Sequence, residues 1–128
     1  MNQVAPIVVR SAQQAAARLL DDLSGARAIV IATADGFDLA HTGRQPVDPA
    51  RLAAMVASFA AVGDAASRET AIGTPRCLVV ESTDGRLVVR CMQVHGESLI
   101  VVILTDKSVL LGLVWNALVA AERQMAAA

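Results

Sequence analysis

Leu99-Ile100-Val101-Val102-Ile103-Leu104 is an unbroken aliphatic run, and it limits the fold more than any other stretch. In a strand, successive side chains point to opposite faces, so such a run cannot leave one face of its sheet in water. Ala28-Ile29-Val30-Ile31-Ala32, Val79-Val80 and Val88-Val89 repeat the pattern. A sheet of these strands needs a cover on both sides, which implies three layers.

The connections fix the pairing. Asp35-Gly36, Asp84-Gly85 and His95-Gly96 are tight-turn dipeptides, so the strands they join are antiparallel. In chain order, Ser11 is expected to cap a helix through Leu23, with Ala12, Ala16, Leu19, Leu20 and Leu23 on one side. Strands follow at 26–33 and 37–42, then a long helix from Asp48 to Glu69. Gly73-Thr74-Pro75 breaks the chain before strands at 77–82, 87–94 and 98–104. Ser108 is expected to cap a last helix to about Gln124, apolar nearly all round and therefore well buried. The order α-β-β-α-β-β-β-α predicts an α+β, three-layer α/β/α sandwich on a five-stranded antiparallel sheet, profilin/longin-like in form. The long helix covers one face and the terminal helices the other. The domain is expected over 11–124, with tails at 1–10 and 125–128.

The long helix begins at Asp48-Pro49, an acidic N-cap followed by a proline whose missing N–H costs nothing in the first turn. Leu52, Met55, Val56, Phe59 and Val62 recur at three- and four-residue steps and form the expected core stripe. The opposite side carries Arg51, Ala54, Ser58, Ala61, Ala65 and Arg68, smooth and nearly uncharged between its two arginines. Abundant alanine alone would produce such a side. A second subunit packed on it would also explain why it lacks the lysines and glutamates of a solvated helix. Apolar residues make up 55% of the chain and aromatics only 2%, so the excess is aliphatic and favours an oligomer.

Several function classes fall away. Net charge is −1 with no basic run, and stacking aromatics are scarce, which argues against nucleic acid. Met1–Arg10 lacks the charged start and cleavage pattern of a signal peptide. The apolar run Val109–Ala121 is thirteen residues, short of the roughly twenty that span a bilayer. With two cysteines and no secretory signal, the expected compartment is the cytoplasm, both thiols reduced. No glycine spacing fits a phosphate loop. His41, His95, Cys77 and Cys91 show no metal-ligand spacing. A two-residue Asp84-Gly85 turn would set Cys77 opposite Met92 and turn Cys91 to the other face, and would let Glu81 and Arg90 pair diagonally. Nothing sets up cysteine–histidine catalysis, and Asp35 and Asp84 are explained by their turns. No catalytic residues, metal or cofactor are expected.

The hairpin Ala28-Ile29-Val30-Ile31-Ala32-Thr33-Ala34-Asp35-Gly36-Phe37-Asp38-Leu39-Ala40 resembles the first hairpin of the Roadblock (dynein light chain) family. Leu52-Ala53-Ala54-Met55-Val56-Ala57-Ser58-Phe59 resembles its central helix. Cys77-Leu78-Val79-Val80-Glu81, Gly85-Arg86-Leu87-Val88-Val89 and Leu99-Ile100-Val101-Val102 fit its meander. The resemblance spans about Ser11 to Gln124. It implies homodimers with antiparallel central helices and third strands paired edge to edge, which adds Cys77 and Val79 to the expected interface of Arg51, Ala54, Ser58, Ala61, Ala65 and Arg68. It further implies a non-enzymatic regulatory module; bacterial members act with Ras-like small GTPases, in one case as a GTPase-activating partner. No family catalytic residue carries over, and Arg51 or Arg68 as an arginine finger is a weaker expectation than a solvated helix end.

The expected function is therefore a bacterial, cytoplasmic homodimer that binds and modulates a small GTPase. One alternative is a nucleotide-independent scaffold bound to a histidine kinase or a second Roadblock-like chain. Another is a small-molecule sensor, which requires a cavity among Val79, Leu87, Val89 and Leu113. An enzyme is disfavoured.

Overall fold

The computed structural model describes residues 4–128. Its elements are α1 (Pro6–Asp22), β1 (Ala26–Thr33), β2 (Asp38–Gly43), α2 (Pro49–Glu69), β3 (Cys77–Ser82), β4 (Gly85–Val94), β5 (Glu97–Thr105) and α3 (Leu111–Ala127). The five strands form one antiparallel sheet in the order β2-β1-β5-β4-β3. The aliphatic run of β5 lies at its centre. Period-two alternation sends Leu99, Val101 and Ile103 to the face covered by α1 and α3, and Ile100 and Val102 to the face covered by α2. The three-layer sandwich is as the sequence predicts.

Four local expectations change. The first helix starts at Pro6, inside the predicted tail, of which residues 1–3 lie outside the described residues. Val8 is fully buried and anchors the extra turn, while Ser11 is no cap: its buried hydroxyl donates to the Val8 carbonyl at 3.0 Å. Likewise Ser108 does not cap α3. Its N–H and hydroxyl both donate to the Asp106 carboxylate, a local turn that occupies the side chain before the helix begins at Leu111.

The third change is register. Gly85 belongs to β4, not to the turn, and Ser82 pairs with Gly85 across Thr83-Asp84. The reason is a close approach, since a Cβ on Gly85 would sit 2.4 Å from the Thr105 carbonyl oxygen. Cys77 therefore pairs with Arg90 and not with Met92, and Glu81 lies opposite and ion-pairs with Arg86 instead of Arg90. The slip is two residues, so Cys91 stays on the face opposite Cys77.

The fourth concerns α3, which is not buried all round. Val114, Leu118, Ala121 and Met125 enter the core, but Leu110, Leu111 and Leu113 stand exposed at its start.

Candidate interaction surface

The position of α2 follows from its start signal and its small residues. The Asp48 carboxylate accepts the Arg51 N–H at 3.1 Å, with Pro49 in the first turn. Ala53 and Val56 are buried against the sheet, flanked by Ala57, Ala60 and Gly63. A Cβ on Gly63 would come within 2.6 Å of Leu78, so the helix lies close at that point. Small residues permit the approach, and the helix turns them inward.

That choice rotates α2 by roughly a quarter-turn from the orientation its large side chains predict, at about 100° per residue. Val56 is buried and Leu52 and Phe59 pack partly on the core, as expected. Met55 and Val62 do not: they are 62% and 67% exposed, a correction to the core stripe. Arg51, Ala54, Ser58, Ala61, Ala65 and Arg68 lie on the outer side, and of these Arg51, Ala54, Ser58, Ala61, Ala65 and Arg68 are all exposed. The outer side of α2 is thus wider and more apolar than the sequence predicts. Arg68 ion-pairs with Asp64 one turn back, so its guanidinium is engaged within the helix. The overlooked signal was the spacing of Ala53, Ala57, Ala60 and Gly63, a small-residue stripe equal in period to the large one.

Beside this helix runs the outer edge of β3, the last strand of the sheet. Val79 and Val80 are 37% and 39% exposed there, and no charged side chain precedes Glu81 on the strand. Such an edge offers unpaired N–H and C=O groups to another strand.

Two clefts flank the edge. On the α2 face an open cleft of about 1070 Å³ lies between α2 and β4, reached by Asp64, Arg68, Arg76 and Cys91. On the other face a groove of about 520 Å³ separates β3 from α3 and is lined by Cys77, Val79, Val88, Leu111, Gly112, Trp115 and Asn116. Above it Arg90 donates to the Glu122 carboxylate at 3.1 and 2.5 Å and lies 4.7 Å from the Trp115 ring centroid. The cavity a small-molecule sensor would require is not assembled. Val79 faces α3, Leu87 and Val89 face α2, and Leu113 is exposed.

Burial pushes both thiols above their ordinary pKa. Arg90 partly opposes this for Cys77, and the nearby Asp64 adds to it for Cys91. Neither is an activated thiolate at neutral pH. His41 and His95 are exposed, and among the described residues no three His, Cys, Asp or Glu side chains gather to hold a metal ion. No helix among them is long and apolar enough to cross a membrane. What the surface can do is bind protein: it carries apolar helix, open strand edge and apolar groove side by side.

A search of curated protein sequences finds no match. Among solved structures, the chain is similar to Myxococcus xanthus MglB (16% identity, TM-score 0.84, 99% of this chain and 92% of that one). It is also similar to the gliding protein MglB of Thermus thermophilus (21% identity, TM-score 0.81, 97% and 92%). Acanthamoeba castellanii profilin IB shares the architecture more distantly (15% identity, TM-score 0.62, 91% and 97%). These likenesses establish the fold, including its profilin-like character. The Roadblock/LC7 domain profile matches residues 12–105, from the first helix to the end of the central strand. The chain belongs to the Roadblock/LC7 family.

Proposed function

We propose that the protein is a non-enzymatic, cytoplasmic regulator that works as a homodimer and binds a Ras-like small GTPase on its paired α2 helices. The observation that carries this reading is the double-sided apolar character of α2. One side packs on the sheet, while Ala54, Met55, Ala61 and Val62 stand exposed on the other. Antiparallel pairing of two such helices would remove these side chains from water, and edge pairing through Val79 and Val80 would extend the sheet. The Roadblock resemblance supplies the partner class, because bacterial relatives of this kind act with small GTPases. Arg51, Arg68 and Cys77 complete the proposed surface. Arg68 is already engaged by Asp64, which favours a role in positioning the GTPase over direct insertion into its active site.

The test is a pull-down from native lysate divided between GDP and a non-hydrolysable GTP analogue. Capture of a small GTPase in one nucleotide state alone supports the reading and identifies the state recognised. Recovery of a kinase or a second Roadblock-like chain, indifferent to nucleotide, replaces it with a scaffold.

A further inference from the structure

Strand β4 runs from Gly85 to Val94, but its outer neighbour β3 begins only at Cys77, opposite Arg90. The last residues of β4 therefore pass beyond the end of β3, and the cleft between α2 and β4 opens at that point. We propose that this short open edge receives an extended acidic segment of a partner protein, which pairs with Gln93 as an added strand and sets a carboxylate against Arg76. The proposal does not depend on the α2 platform.

The direction of the Gln93 peptide follows from two bonds. The Cys91 N–H donates outward to the Arg76 carbonyl at 3.4 Å. Main-chain groups alternate sides along an antiparallel strand, so Gln93, two residues on, also turns its N–H and C=O outward. The inner side agrees: Gln93 lies opposite Ser98, whose carbonyl accepts the Ala34 N–H on the far side of β5. Gln93 and Ser98 are thus a non-hydrogen-bonded pair, and their side chains meet instead, Nε2 donating to Oγ at 2.6 Å. Across the outer edge, no main-chain group among the described residues answers Gln93. A donor and an acceptor stand side by side there, in the wall of the cleft.

That combination decides the class of occupant. A bare phosphate or carboxylate takes the N–H but leaves the carbonyl facing an anion, in a cleft that also holds Asp64. A peptide exchanges both bonds.

Charge then selects among peptides. Of the charged side chains lining the cleft, Arg68 is paired with Asp64 and Arg90 with Glu122. The exposed Arg76 guanidinium has no hydrogen-bond or ion-pair partner among the described residues. Arg76 lies across from Cys91, so it shares a face of the sheet with Gln93. A residue added opposite Gln93 is two strand positions from Arg76, about 7 Å along the edge, and its side chain points to that same face. A glutamate there reaches the free guanidinium, while its neighbours turn to the other face.

The test uses the isotope-labelled protein and three probes: a blocked pentapeptide alternating glutamate with valine, its glutamine–valine counterpart, and inorganic phosphate. The expected result is a saturable shift of the Gln93 amide and Arg76 Nε signals with the glutamate peptide, and binding about threefold weaker or worse with glutamine. Arg76→Gln, an exposed change that leaves the protein folded, should make the two peptides equal. N-methylation of the peptide's glutamates removes the N–H groups that face the Gln93 carbonyl and should abolish binding. A Gln93 amide that does not move, or equal binding of both peptides to the wild type, overturns the proposal. Phosphate that produces the same shifts as tightly as the glutamate peptide also overturns it and makes the cleft a bare-anion site.

Discussion

Under α1 and α3 the sheet buries Leu19, Ile29, Ile31, Leu99, Ile103, Leu118 and Met125, none more than 2% exposed; under α2 the buried set is Val30, Ala32, Ala53, Val56, Val89, Ile100 and Val102. The first face is a core of long, interlocking side chains shared by two helices that also pack on each other. The second is a close contact made largely of alanine and valine, beneath one helix that turns Met55 and Val62 outward. Hydrophobic stabilisation scales with the apolar area removed from water, so the α2 face gains less within a single protomer. The same rotation that brings Ala53 and Gly63 to the sheet leaves Met55 and Val62 exposed. The asymmetry separates a face that carries most of the protomer's core from one that carries the surface proposed to bind.

That contrast can be broken by substitution. Leu118→Ala, at 0% exposure in the thicker core, should cost about 3 kcal/mol in chemical unfolding. Val56→Ala under α2 should cost about 1.5 kcal/mol, the value of two buried methyl groups. Equal losses at the two sites would remove the asymmetry. Asp48→Ala deletes the only side-chain cap among the three helices as described and should cost about 1 kcal/mol. Faster amide exchange confined to the first turn of α2 would locate the effect. Met55→Ser should change the unfolding of the dilute protomer least, within about 0.5 kcal/mol, because the side chain is exposed there. Its effect belongs to the concentrated, associated protein, and a large loss at high dilution would return Met55 to the protomer core.

How far the sequence foretold all this depends on which signals compete. Asp48-Pro49 placed the start of α2 correctly, and the aliphatic runs identified β1, β3, β4 and β5, because an N-cap and a two-faced strand have few other uses; β2, with no such run, was placed by the Asp35-Gly36 turn. Ser11 and Ser108 misled: a hydroxyl can cap a helix or bond locally, and in both places the local bond won. The Asp84-Gly85 turn misled through a glycine whose need is set by Thr105, far along the chain and in contact only after the sheet forms. On α2 the large residues and the small ones had equal helical periods. Only the distance between helix and sheet, a tertiary quantity, decides which stripe turns inward. The outer side was nonetheless legible as a surface, since Ala54, Ser58, Ala61 and Ala65 are exposed as expected. The groove beside α3 was hidden by the expectation that an all-round apolar helix is buried.

Whether the outer side of α2 is an interface between copies is read most directly by sedimentation equilibrium. The wild-type chain and the Ala54→Glu/Ala61→Glu variant are compared at the same micromolar concentrations, with circular dichroism to verify folding. The expected result is twice the chain mass for the wild type and a single chain mass for a folded variant. A folded variant that remains a dimer as tight as the wild type would contradict the proposed interface.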